Sequence, residues 1–248
     1  KPDLVAPGCT TSASSDGDVG SYNCSLRGSC GTSFAAPILA GAAALARQYF
    51  TDGYYPSGTK RAGDSLTPSA ALLKAVLLNG AVSIDGLDNA GETVSPIPSN
   101  EQGWGRVQLD RGLAFADGAR KLYVDDERAG FDAGETRAIR YAFSGVSSVL
   151  PFKVTLVWTD FPGTVDVAPR VPQLDDPSTY NPPLLVNDLD LDVQTAFGTF
   201  AGNVFDNGVS TPGGAPDRRN NLEQVLIMSP TSREIVIRVA AANIQRPH

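Results

Sequence analysis

From Ser33 to Tyr49 the chain is dominated by alanine, with Pro37 near the front of the run and Gly31-Thr32-Ser33 immediately before it. That pattern predicts a helix with an unusually small-faced surface, suited to close packing inside a protein. Thr32 or Ser33 is placed to cap its start, and Pro37 is tolerated in a first turn, where amides need no helical acceptor. Ser33 is thereby set at the positive end of the helix dipole. Free amides at a helix start point at developing negative charge, so the Ser33 hydroxyl can attack a carbonyl while the Ser33 amide stabilises the oxyanion formed. The plainer alternative is that Gly31-Thr32-Ser33 only caps a buried helix.

The flanks weigh against that alternative. Lys1-Pro2-Asp3-Leu4-Val5-Ala6-Pro7-Gly8 precedes the serine and Ile38-Leu39-Ala40-Gly41-Ala42-Ala43-Ala44-Leu45 follows it. Together they closely resemble the nucleophile region of the subtilisin-like serine proteases, the subtilases. Thr67 to Ala81 resembles the next subtilase helix, and Gly103-Trp104-Gly105-Arg106-Val107 resembles the glycine turn that closes the catalytic domain. The resemblance implies that Ser33 is the nucleophile and that its amide supplies one oxyanion donor.

In that family the triad runs Asp, His, Ser, and the first two lie upstream of the segment that opens this sequence. The only histidine here is His248, the last residue. The expectation is a C-terminal piece of an endopeptidase, inactive by itself, whose partners are protein or peptide substrates and the upstream part of the same protease.

Composition narrows the remaining classes. A chain of 248 residues, 42% hydrophobic and 19% charged, can bury a substantial core and exceeds the usual single-domain size. The net charge of −7 is spread over both halves without any basic face, which argues against nucleic acid. No apolar run reaches the roughly 18 residues of a membrane span. A secreted, extracellular protein is expected, with no organic cofactor.

Cys9, Cys24 and Cys30 crowd into one Gly/Ser-rich loop. A bridge between Cys9 and Cys24, or between Cys24 and Cys30, would brace it, and three reduced thiols are the alternative. Zinc is a poor reading, because no histidine or fourth cysteine stands nearby to complete a tetrahedron.

The helical, alanine-rich pattern ends near Asp117, and short β-type runs replace it: 136–143, 152–158, 189–195, 224–228 and 234–240. Residues 1–118 are therefore read as the C-terminal part of an α/β catalytic domain. Residues 119–248 are read as an all-β antiparallel sandwich or jelly roll.

Within that second block, Asn187-Asp188-Leu189-Asp190-Leu191-Asp192-Val193 alternates. Asp188, Asp190 and Asp192 share one strand face, at a spacing of about 7 Å, and the leucines share the other. Such carboxylates repel unless cations or basic groups lie between them. Calcium is one answer, with Asp160 or neighbouring loop residues such as Asp217 and Glu223 completing the shell. A solvated face paired in part to Arg218 or Arg219 is the other. Leu156 to Asp160, Leu185 to Val193 and Arg219 to Val225 also resemble the β-domain that follows the catalytic domain in one branch of secreted bacterial subtilases. That resemblance implies structural calcium in this domain, for which the strand face offers Asp188, Asp190 and Asp192, with Asp160, as candidate ligands. A different class of function, a binding or scaffold module acting through the β-domain, would require exposed aromatics on one sheet face.

Overall fold

A computed structural model describes residues 2–22, 25–88, 90–132, 138–144, 149–163, 185–230 and 234–246. Cys24, Tyr180, His248 and the Pro/Asp-rich insertion at 164–183 lie outside these residues. The chain divides into two compact units, Lys1–Val124 and Asp125–His248. The first extends past the expected junction at 118 because Leu122 and Val124 pack on its core.

Unit 1 opens with a hairpin of β1 (Cys9–Ala13) and β2 (Leu26–Cys30), paired antiparallel from Cys9 opposite Cys30 to Ala13 opposite Leu26. Neither strand carries the apolar alternation that marks a half-buried strand, so sequence reading passed over them. Helix α1 (Thr32–Thr51) follows at once, then α2 (Ala70–Gly80) and the short α3 (Leu109–Gly112). Ser69 caps α2, its hydroxyl accepting the Leu72 amide at 3.0 Å, which is why the apolar run after it starts a helix there. Ala42, Ala46, Tyr49 and Phe50 of α1 meet Leu72, Val76 and Leu77 of α2, with Leu113 below.

The Gly103-Trp104-Gly105 turn ties the start of the chain into this unit. Trp104 donates its amide to the Asp3 carbonyl at 2.9 Å, and Val5 donates to Gly105 at 3.0 Å. Gly103 sits at φ 58°, and a Cβ there would lie 2.2 Å from the Pro2 carbonyl oxygen. Only glycine permits both that conformation and that approach.

Unit 2 is built of antiparallel strands: β3 (Ala138–Ser144), β4 (Phe152–Val157), β5 (Asn187–Thr195), β6 (Gly198–Ala201), β7 (Phe205–Asp206), β8 (Val209–Ser210), β9 (Leu222–Ile227) and β10 (Glu234–Ile244). One sheet runs β3-β10-β5-β6, a second pairs β4 with β9, and β7 pairs with β8. The two larger pieces share one apolar core. Leu189, Leu191 and Val193 of β5 join Ile235, Ile237 and Val239 of β10, Phe200 of β6, Val225 of β9 and Trp158. Trp158 and Phe200 are buried there and offer no exposed aromatic platform, whereas Phe197, in the turn between β5 and β6, is exposed. The chain's final described residues are strapped to the first residue of β5. Asn187 donates its side-chain amide to the Arg246 carbonyl at 2.7 Å and accepts the Gln245 and Arg246 amides.

Candidate active site

Helix α1 starts from Gly31 as its N-cap, and no side chain caps it. Thr32 and Ser33 stand inside the first turn, so neither performs the capping expected of them. The physical reason is the hairpin. Gly31 comes directly off β2, donates its amide to the Gly8 carbonyl at 2.8 Å, and offers its own carbonyl to the amides of Phe34 at 3.0 Å and Ala35 at 3.4 Å. Backbone groups thus do the work of a cap. Pro37 falls one turn later than expected. It has no N–H to give the Ser33 carbonyl four residues earlier, which leaves that carbonyl outside the helical ladder.

Ser33 is exposed to solvent. Among the described residues, the Thr32 and Ser33 amides have no hydrogen-bond partner, and neither has the Ser33 hydroxyl. Free amides at the positive end of a long helix beside an exposed hydroxyl form a place where a tetrahedral oxyanion is stabilised. No histidine stands among the described residues.

Below this turn, the structure joins Cys9 to Cys30 in a disulfide spanning 21 positions. Neither pairing considered from sequence, Cys9 with Cys24 or Cys24 with Cys30, is the one formed. The β1–β2 register sets Cys9 directly opposite Cys30, and this cross-strand placement is not visible in the spacing of cysteines.

The acidic face of β5 is arranged by arginine. Arg218 pairs with Asp188 at 3.0 Å and grips both oxygens of Asp190. Arg238, opposite Asp192 on β10, pairs with it at 2.9 Å. Asp160 stands apart: its two oxygens accept the amides of Phe161, Val186 and Asn187 at 2.8–2.9 Å. The structure therefore brings Asp188 and Asp190 together at one arginine and gives Asp192 and Asp160 separate partners. Among the described residues, no three His, Cys, Asp or Glu side chains come together to hold a metal ion.

Sequence reading missed Arg238, although its place in the alternation Ile235-Val236-Ile237-Arg238-Val239 marks it as the polar side of an otherwise apolar strand. It named Glu223 only as a loop companion, whereas Glu223 lies in β9 and is 1% exposed. One oxygen of Glu223 accepts the Leu191 amide at 2.6 Å, and the other is buried without a partner. Burial pushes its carboxyl up to about 8, against the Leu191 amide and with the help of Asp190, Asp217 and Asp188 nearby. Asp188 is also raised, by burial first, with Arg218 opposing.

Residues 1–105 match the model of the subtilase family. Over 98% of its length the chain is 29% identical to the "Serine protease/ABC transporter B family protein tagD" of Dictyostelium discoideum. Over its full length it is 31% identical to the tagA protein of the same description and organism. It spans about 15% and 14% of those proteins' own lengths. No helix is long and apolar enough to cross a membrane among the described residues. A serine at the free-amide end of α1 thus stands inside a segment that matches the subtilases, in a chain homologous to proteins named as serine proteases.

Proposed function

We propose that this chain is the nucleophile-bearing part of a subtilisin-like serine endopeptidase, with protein or peptide substrates. The observation that carries the reading is the exposed Ser33 in the first turn of α1, beside amides that have no partner among the described residues and within the subtilase-matching segment. Ser33 Oγ attacks the scissile carbonyl, and its proton passes to a histidine supplied by polypeptide upstream of Lys1 and oriented by an upstream aspartate. The carbonyl electrons move onto oxygen, where the Ser33 amide donates to them. Unit 2 is read as a jelly-roll domain following the catalytic part, which its two sheets about one core support. A secreted, extracellular setting is supported by the exposed disulfide.

A fluorophosphonate probe tests the reading. The isolated chain should stay unlabelled, because loss of the triad histidine costs on the order of a millionfold in kcat. Addition of the upstream fragment should bring labelling to Ser33 alone, and Ser33→Ala should abolish it. Robust Ser33-dependent peptide cleavage by the 248-residue chain on its own would place the base elsewhere and refute the proposed division.

A further inference from the structure

The hairpin that leads into α1 has almost no core of its own. Only Thr10 and Ser29 are half-buried in it, the rest of both strands is exposed, and β1 and β2 pair with no other strand among the described residues. A lone two-stranded hairpin is marginal in water. What reinforces this one is the Cys9–Cys30 bond, at the end of the ladder nearest α1. Both cysteines are solvent-exposed, and an exposed disulfide is open to attack by an external thiolate.

The same bond lies next to the start of the helix. Gly31 is the single residue between Cys30 and the helix, its amide is held by Gly8 beside Cys9, and its carbonyl receives the first helical amides. No side chain caps α1, so the backbone links of Gly31, one residue from Cys30 and bonded to the residue before Cys9, are what join the first turn to the hairpin. Ser33 lies two residues further on.

We propose that Cys9–Cys30 is a reducible clamp that positions the Ser33 turn, and that a soluble dithiol opens it. One thiolate of the dithiol attacks Sγ of one cysteine, displacing the other as thiolate and forming a mixed disulfide. The second thiol of the reagent then displaces the first cysteine. Two cysteine thiols and one cyclic disulfide result, with two electrons and two protons passed from reagent to protein. The proposal gains its catalytic meaning from the reading of Ser33 as nucleophile, but its test does not use that chemistry.

Hydrogen exchange on the full chain, oxidised and then reduced with dithiothreitol without denaturant, reads the clamp directly. Reduction should make Cys9 and Cys30 alkylatable and speed exchange of the hydrogen-bonded amides within residues 28–36, Gly31, Phe34 and Ala35 among them, by about tenfold or more, while residues 70–80 keep their protection. Reoxidation should reverse both changes. The double variant Cys9→Ser, Cys30→Ser should behave as the reduced chain in either buffer, and Cys24→Ser should keep the full response. The proposal is overturned if residues 28–36 stay protected once alkylation proves the bond open. It is equally overturned if residues 70–80 lose protection in step, which marks a general staple, if the bond resists the dithiol until denaturant is added, or if Cys24→Ser abolishes the response. A silent Ser33 in the probe assay would leave these outcomes untouched, so the two failures are distinguishable.

Discussion

Substituting Glu223 by glutamine should relieve unit 2 of a pH-dependent loss of stability. Glu223 is 1% exposed, uses one oxygen on the Leu191 amide and leaves the other unpaired, and burial holds its carboxyl protonated up to about pH 8. In the unfolded chain the same group ionises near 4.5. Between these values the folded state binds a proton that the unfolded state has released, so stability falls as pH rises through this window and the loss is complete above about 8. A window of about 3.5 units at 1.36 kcal/mol each gives a loss on the order of 5 kcal/mol, an upper bound because water entering an opened site would lessen it. Glutamine keeps an acceptor for the Leu191 amide and carries no charge. Opening free energies from hydrogen exchange, measured from pH 5 to 9 with chelator present, should fall with pH in β5 and β9 of the parent chain. In Glu223→Gln the same segments should fall far less, and α2 in unit 1 should be indifferent to the substitution. Parallel pH slopes in parent and variant, or a variant less stable than the parent at pH 8, would refute the reasoning.

Arg218→Ala should destabilise unit 2 by about 1–2 kcal/mol, between an exposed and a buried ion pair, since it strips Asp188 and Asp190 of their partner; urea unfolding measures it. We propose that calcium takes the vacated place in that variant, so that a hundredfold excess over Kd adds roughly 2.7 kcal/mol and more than offsets the loss, and a melting temperature equal in calcium and chelator removes the idea. Gly103→Ala should cost unit 1 on the order of 1–3 kcal/mol or more, because the added Cβ meets the Pro2 carbonyl at a left-handed φ, and exchange in residues 2–7 should rise first. Tyr49→Phe should cost about 1 kcal/mol by thermal melting, since the Tyr49 hydroxyl donates to the Ala114 carbonyl at 2.6 Å.

Helix α1 was legible because alanine recurs from Ala35 to Ala46, about three turns, and leaves little competition with a helix, and α2 because Ser69 stands before an apolar run. The strands β4, β5 and β10 could be read from alternation, since each sends one set of side chains into a shared core, whereas β9, buried on both faces from Leu222 to Leu226, showed only as a short β-type run. The hairpin β1–β2 could not, because Thr10, Thr11, Ser29 and Gly28 bury almost nothing and are held by a bond whose partner is fixed only once the register exists. The Asp188–Asp190–Asp192 face was visible as a charge problem, and Arg218 as one of its answers. The depth of Glu223 was not. Its neighbour Asp217 and the run Arg218-Arg219-Asn220-Asn221 are as polar as any loop, and Glu223 is enclosed by a residue distant in sequence: a Cβ on Gly202 would lie 2.3 Å from its Oε2.

The Asn187 strap has a mechanical consequence. Tension applied to the chain beyond Arg246 meets three hydrogen bonds at Asn187 before it reaches β10. Strand β10 lies between β3 and β5 with antiparallel pairing on both sides, so a pull along its axis loads two ladders in shear. Rungs sheared together yield at far higher force than rungs peeled one at a time. A pull from this end therefore loads the two ladders of β10 together rather than one rung at a time.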